Sequence, residues 1–177
     1  SYCLTGPGAG SDAGNLRSTA RRDGEHYIVN GSKMFISGAG ATDVLVAMLR
    51  TGEPGPKGIS AFAIPADSEG ISYGKPEEKM GWNSQPTATV TFDNVRVPAA
   101  NRLGDEGQGF RIAMQGLDGG RINIATCSIG TAQAALETAT AYVKEREQFG
   151  QAIADFQNTQ FTLADMATQL VAARQMV

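Results

Sequence analysis

Near Asn101 the sequence changes its period, and that change constrains the fold more than any other feature of the chain. Before it, short runs of β-forming residues alternate with turn residues about every ten positions, the rhythm of an antiparallel barrel or sandwich. Residues 26–29 lead into Asn30-Gly31, a pair that tolerates positive φ, which predicts a hairpin turn with 33–37 as the returning strand. Residues 44–49 and 59–64 read as further strands, separated by the Gly- and Pro-rich stretch 51–58. Segment 87–92 sets Ala88, Val90 and Phe92 against three threonines, the alternation of an antiparallel strand buried on one face. After Gly104 the period is helical: Ile129, Ala132, Leu136, Ala139 and Val143 recur every three or four residues. Gly119-Gly120 predicts an interruption, hence one helix over about 108–117 and a longer one that Phe149-Gly150 ends. Asp155 stands where a cap belongs. The helix after it is apolar almost all round, through Phe161, Leu163, Ala164, Met166, Ala167, Leu170 and Val171, as in a bundle interior. The expected fold is α+β, an antiparallel β domain over 1–104 followed by the first helices of an incomplete helical bundle over 105–177. Ser1 opens within a strand-like run and Met176-Val177 closes within a helical one, so both ends are expected to be cuts through a longer polypeptide.

Composition removes several function classes. With 41% hydrophobic and 19% charged residues, the 177-residue chain is of ordinary globular type. A net charge of -3, with Arg21-Arg22 as a short basic pair, leaves no footprint for nucleic acid. Cys3, Cys127 and His26 are too few for a zinc cluster or a disulfide framework. A Ser-His-Asp triad is disfavoured too, because His26 follows the charged turn Asp23-Gly24-Glu25. No apolar run approaches a membrane span, and no signal peptide is visible. A soluble protein of a reducing compartment is expected.

Four segments have residues that suit ligand chemistry. The loop Thr5-Gly6-Pro7-Gly8-Ala9-Gly10-Ser11-Asp12 allows close backbone approach to a ligand, and its N–H groups can cradle a phosphate. It lacks the Gly-Lys-Ser/Thr of a P-loop, and neither its third glycine position nor its surroundings fit a dinucleotide fingerprint. In Met34-Phe35-Ile36-Ser37-Gly38-Ala39-Gly40, an aromatic two residues before a hydroxyl can pack on a ring and donate to it. Gly116-Leu117-Asp118-Gly119-Gly120-Arg121 sets small residues beside a guanidinium that can pair with an anionic group. Arg146-Glu147-Gln148-Phe149-Gly150, with Gln157 after it, is the fourth. Alone, each also reads as ordinary structure: a surface loop, a strand with a core Phe, a helix-to-helix turn, a solvated helix end.

In this order and spacing they resemble the acyl-CoA dehydrogenase family. The match is carried by Tyr2-Cys3-Leu4-Thr5-x-Pro7-Gly8-Ala9-Gly10-Ser11-Asp12 and Asn30-Gly31-Ser32-Lys33-Met34-Phe35-Ile36-Ser37. It continues through Phe92-x-x-Val95-x-Val97-Pro98, Gly104-x-x-Gly107-x-Gly109-Phe110, Arg146-x-x-Phe149-Gly150 and Phe161-x-Leu163-Ala164-Asp165-Met166. The resemblance implies FAD held between a β domain and helical domains. Tyr2, Leu4, Thr5, Gly10, Ser11, Phe35, Ile36 and Ser37 would line the flavin, and Arg146, Phe149, Phe156 and Gln157 would hold the FAD of a neighbouring subunit in a tetramer. Ser11, Asp118, Gly119, Gly120 and Arg121 would border the acyl-CoA. It implies oxidation of an acyl thioester to a 2-enoyl-CoA, with electrons passed to an electron-transfer flavoprotein, and no nucleic acid or membrane span. The location would be cytoplasmic in a bacterium and the mitochondrial matrix in a eukaryote.

The catalytic glutamate is expected beyond Val177, since the alternative position used by a minority of the family is Gly120 here, so no catalytic residue is assigned. Gly6 replaces the usual Glu, and Phe35 the commoner tryptophan. Residues 81–87 and 119–125 look most like the isobutyryl-CoA dehydrogenase branch, which implies a short branched acyl group. Other readings at this stage are an acyl-CoA oxidase of the same fold, a non-catalytic assembly remnant, and a Gly-rich nucleotide-binding module.

Overall fold

The computed structural model describes residues 1–177, which divide into two compact units, Ser1–Gln115 and Gly116–Val177. In the first, eight strands form one sheet: β1 (Tyr2–Cys3), β2 (Thr19–Asp23), β3 (His26–Ser37), β4 (Val44–Arg50), β5 (Ile59–Pro65), β6 (Ile71–Tyr73), β7 (Thr87–Pro98) and β8 (Arg102–Leu103). Their order is β6-β7-β3-β2-β4-β5-β8, and β1 lies parallel to β4 through Tyr2↔Val46 and Cys3↔Ala47. β2 also meets β4 in parallel at Thr19↔Arg50, and the remaining pairs are antiparallel. This is the mostly antiparallel sheet that the residue pattern predicts, but it stays open from β6 to β8 and closes no barrel.

The strands read at 44–49, 59–64 and 87–92 are present within β4, β5 and β7. The hairpin turn is elsewhere. β3 runs for 12 residues straight through Asn30-Gly31, and the chain reverses instead at Gly24 (φ +59), between β2 and β3. The conformational freedom of Gly31 (φ +127) serves a bulge and a close approach: a Cβ there would lie 2.8 Å from the Cα of Ser18. Between the pairs Val29↔Val95 and Gly31↔Phe92, β7 carries one extra residue. Asn94 (φ 51) takes up that kink, and its N–H donates to Asn30 Oδ1 at 2.9 Å.

A second bulge compensates the first. Between Lys33↔Val90 and Ile36↔Ala88 the extra residue is on β3, so register is restored at the far end of the ladder. The consequence is a switch in facing. Tyr27, Val29 and Lys33 point inward at odd positions, whereas beyond the bulge Ile36 is buried and Phe35 and Ser37 are exposed. One core unites the inward faces of β3, β4, β5 and β7, with Tyr27, Leu45, Leu49, Phe62, Ile64, Val90 and Val95 all at 0% exposure. Each such side chain contributes roughly 1.5–3 kcal/mol of hydrophobic stabilisation. Tyr27 packs edge-on to Phe62 at 4.8 Å between ring centroids.

The helical part departs from the sequence reading in three places. α1 (Gly109–Glu145) is one helix of 37 residues that runs through Gly119-Gly120 without a break. Each glycine there costs about 1 kcal/mol of helix propensity, too little to interrupt a helix continued on both sides by good formers. Phe149-Gly150 caps no helix. With φ of 57 and 81 the two residues form the tight turn of a hairpin between β9 (Glu147–Gln148) and β10 (Gln151–Ala152). Nor does Asp155 cap α2 (Gln157–Met176): it lies in a 3-10 turn, and Phe156 holds the N-cap position without a side-chain bond. In the second unit Ile129, Leu136 and Ala139 of α1 and Met166, Leu170 and Ala173 of α2 line an apolar groove of 580 Å³. Most other apolar side chains of these helices, such as Ile124, Phe161 and Val171, are exposed.

Candidate functional site

The site in the first unit is built where the Gly-rich loop meets the bulge of β3. β1 carries the chain from Tyr2 through the buried Cys3 and Leu4 to Thr5. The loop then closes on itself, Gly6 N–H donating to Ala9 O at 3.0 Å and Ala9 N–H to Gly6 O at 3.2 Å. A Cβ on Gly6 would lie 3.2 Å from the carbonyl oxygen of Ser32, so a side chain at this position needs a shift of that carbonyl by a few tenths of an ångström. Two adjacent carbonyls of the loop's stem are tied to β3. Lys33 Nζ donates to Leu4 O at 2.9 Å, and Met34 N–H donates to Thr5 O at 3.0 Å.

One residue further on, Phe35 holds φ 58, a left-handed conformation that costs a bulky residue about 1–3 kcal/mol. The residue is 60% exposed. Ile36 turns into the core, and Ser37 faces outward beside Phe35, its carbonyl accepting from Ser1 Oγ at 2.7 Å. Tyr2 is anchored at its hydroxyl, which donates to Ala113 O at 3.1 Å. Tyr2, Leu4, Thr5, Phe35, Ile36 and Ser37 thus lie on segments that the fold brings together, with Leu4 and Ile36 buried and Tyr2, Phe35 and Ser37 exposed. Gly10 and Ser11 lie on the exposed continuation of the loop, and a Cβ on Gly10 would meet nothing within 4 Å.

Lys33 is the residue to which the sequence reading gave no role. It is fully buried and, with the turn 6–9 and Arg17, lines a 410 Å³ pocket. Burial lowers its ammonium from 10.5 to about 8. The same surroundings push the Cys3 thiol up to about 11 by burial, against the opposing pull of the amino terminus and Lys33, which leaves it a packing residue rather than a nucleophile. A signal for Lys33 exists in the sequence: odd positions of β3 carry Tyr27 and Val29, and position 33 follows their parity.

The second unit holds the remaining candidates in two groups. Asp118, Gly119, Gly120 and Arg121 occupy consecutive positions of α1, with Asp118 and Arg121 one helical turn apart and exposed. A Cβ on either glycine would meet nothing within 4 Å, so packing inside the unit does not require them to be glycines. Arg146, Phe149, Phe156 and Gln157 gather around the β9–β10 hairpin. Arg146 N–H donates to Tyr142 O at 2.9 Å and Arg146 O accepts from Ile153 N–H at 2.8 Å, which fixes the arginine's backbone from both sides. Phe149 is 95% exposed and stands edge-on to Phe156 at 6.3 Å. Gln157 is the exposed first residue of α2. No group of His, Cys, Asp and Glu is placed to hold a metal ion, and no helix is long and apolar enough to cross a membrane.

Known proteins resemble the chain along its whole length. Residues 1–95 match the acyl-CoA dehydrogenase middle domain, and residues 107–177 match the acyl-CoA dehydrogenase C-terminal domain. The mitochondrial isobutyryl-CoA dehydrogenase of Bos taurus is 58% identical over 177 residues, which are 100% of this chain and 42% of that protein. Subunit CarC of the caffeyl-CoA reductase–Etf complex of Acetobacterium woodii is 49% identical over 177 residues, 99% of this chain and 47% of its own length. The butyryl-CoA dehydrogenase structure from Megasphaera elsdenii superposes with a TM-score of 0.94 at 44% identity, over 98% of this chain and 46% of that one. The chain therefore spans less than half the length of these relatives.

Proposed function

The chain belongs to the acyl-CoA dehydrogenase family, and from that premise we propose that it is the flavin-binding portion of an enzyme oxidising a short, branched acyl-CoA, isobutyryl-CoA foremost, to the 2-enoyl-CoA. The observation that carries the reading is the junction of loop and bulge: Leu4 and Thr5 tied to Lys33 and Met34, immediately before an exposed aromatic and an exposed hydroxyl. Such a surface fits a flat heteroaromatic ring, since Phe35 offers a face, Ser37 a donor, and the stem of the loop an edge to lie against. A bulky residue held at positive φ with its ring in solvent is strain that a ligand contact accounts for. The 58% identity to an isobutyryl-CoA dehydrogenase supports the branched acyl group.

On this reading Tyr2, Leu4, Thr5, Gly10, Ser11, Phe35, Ile36 and Ser37 hold the flavin, and Arg146, Phe149, Phe156 and Gln157 hold the FAD of a neighbouring subunit in a homotetramer. Bound there, FAD supplies the acceptor for the hydride that leaves the substrate's β-carbon. Ser11, Asp118, Gly119, Gly120 and Arg121 border the acyl-CoA and orient its thioester, whose carbonyl accepts hydrogen bonds as negative charge develops on it. The glutamate that removes the α-proton lies outside these 177 residues. The division of labour falls at 104/105, between flavin-binding β domain and bundle. An electron-transfer flavoprotein is the electron acceptor, a reading that the Etf complex of the Acetobacterium woodii relative supports. The location follows as cytoplasmic in a bacterium or the mitochondrial matrix in a eukaryote.

The test is turnover by the full-length flavoprotein carrying this chain, with isobutyryl-CoA and n-butyryl-CoA compared under an artificial electron acceptor. A kcat/KM preference for isobutyryl-CoA of about tenfold or more is expected, the scale on which a hydrophobic pocket distinguishes a methyl branch. A preference for the straight chain contradicts the substrate assignment. Oxygen consumption in place of acceptor reduction contradicts the dehydrogenase assignment and points to an oxidase.

A further inference from the structure

Resting on the flavin reading above, we propose that Lys33 is a positioning residue of the flavin site, a buried strap that sets the distance between the stem of the Gly-rich loop and the bulge presenting Phe35 and Ser37. The geometry has three parts. Lys33 is fully buried on the inward face of β3, and its ammonium donates to Leu4 O at 2.9 Å across 29 residues of sequence. The neighbouring pair, Met34 N–H to Thr5 O at 3.0 Å, runs beside it, so two consecutive residues of β3 hold two consecutive carbonyls of the loop stem. The β3 bulge follows at once, and with it the change of facing that turns Phe35 and Ser37 outward.

A lysine is a poor choice for this position on stability grounds alone. An apolar side chain of its shape would fill the same fully buried position without desolvating a charge, and burial already draws the ammonium down. What the lysine adds is reach. β1 is tied to β4 by only two residue pairs, Tyr2↔Val46 and Cys3↔Ala47, and past Cys3 the stem has no strand partner of its own. The Lys33 side chain and the Met34 amide replace that partner for Leu4 and Thr5. The strap therefore acts through the residues it places, and does not itself meet the ring.

Lys33→Met keeps the shape and removes the donor, while Lys33→Gln keeps a donor on a stem one atom shorter and so draws the loop inward. Both are made in the full-length flavoprotein, and the apo thermal transition, the FAD dissociation constant and the visible flavin spectrum are measured. Expected for Lys33→Met is an apo transition at or above that of the parent, FAD affinity weaker by roughly tenfold, as for one misplaced hydrogen bond, and displaced flavin bands. Should Lys33→Met fail to fold, Lys33→Gln decides: displaced bands or weakened FAD at parental stability support the strap, and parental affinity with parental bands overturns it. Parental FAD affinity and spectrum in a folded Lys33→Met protein also overturn it, leaving Lys33 a purely structural residue. A parent protein that takes up no FAD overturns the flavin reading and the strap with it; a flavin-loaded parent with indistinguishable variants overturns the strap alone.

Discussion

Replacing Lys33 by Met has a second consequence, visible in how stability depends on pH. Lys33 is at 0% exposure, and burial lowers its ammonium from 10.5 to about 8. At about 1.4 kcal/mol per pH unit, that gap corresponds to about 3 kcal/mol of destabilisation while the group is charged in the fold. The penalty is complete below about 8, is relieved as pH rises and the folded state releases its proton first, and is absent above 10.5. Stability thus rises with pH in this window, because the unfolded chain binds the extra proton. Integrated from pH 7 to pH 9, the gain is about 1 kcal/mol. Cys3, its thiol raised from 9.0 to about 11, acts in the opposite sense as pH approaches and passes 9, but it is present in both proteins and so drops out of their difference. Met also deprives Leu4 O of its donor, at a cost of about 1–3 kcal/mol that does not depend on pH and at most offsets the relief, so the change of the difference with pH isolates the charge. The assay is urea unfolding of the FAD-free protein, parent against Lys33→Met, at pH 7 and pH 9. The parent is expected to gain about 1 kcal/mol on the variant across that interval. A difference that stays constant would refute the claim that a charged, desolvated amine sits beneath the loop.

Three further outcomes are expected. Phe35→Gly should stabilise the apo protein by up to about 1 kcal/mol, since glycine accepts φ 58 without strain, while weakening FAD binding; a destabilised apo protein would show that the ring packs in the fold and does not wait for a ligand. Gly31→Ala should cost more than about 2 kcal/mol in urea or thermal unfolding, because its Cβ would lie 2.8 Å from Ser18 Cα at φ +127; a neutral result would mean that the bulge relaxes freely. Gly119→Ala and Gly120→Ala should each add about 1 kcal/mol to thermal stability, as nothing lies within 4 Å of either Cβ, and a raised KM for acyl-CoA in the same proteins would mark the backbone's approach to the thioester; loss of stability would refute an open helix face there.

What the sequence disclosed divides along a physical line. Elements announced by period were legible: the alternation at 87–92 became β7, and the runs at 44–49 and 59–64 became β4 and β5. Elements announced by glycine were not. Asn30-Gly31 permits a turn but is used in a bulge, and Gly119-Gly120 weakens a helix without ending it. In both cases local freedom was mistaken for a local requirement, whereas neighbours distant in sequence, Ser18 and Asn94 among them, decide the outcome. Phe149-Gly150 failed for a related reason, since positive φ serves a hairpin as readily as a helix end. The loop residues Tyr2–Thr5 and the pair Phe35 and Ser37 were legible as motif residues, and the fold brings them together. Lys33, in the same motif, was passed over because a lysine is usually a solvated residue, although the parity of Tyr27 and Val29 runs along β3 to position 33 without an extra residue and places it inside.

The most direct measurement of the central claim is the visible spectrum of the full-length flavoprotein carrying this chain, before and after addition of isobutyryl-CoA without oxygen. Flavin bands that bleach on addition are predicted, as electrons leave the acyl group for the cofactor held at the loop and bulge. A colourless protein that cannot be reconstituted with FAD, or flavin bands that isobutyryl-CoA leaves unchanged, would contradict the account.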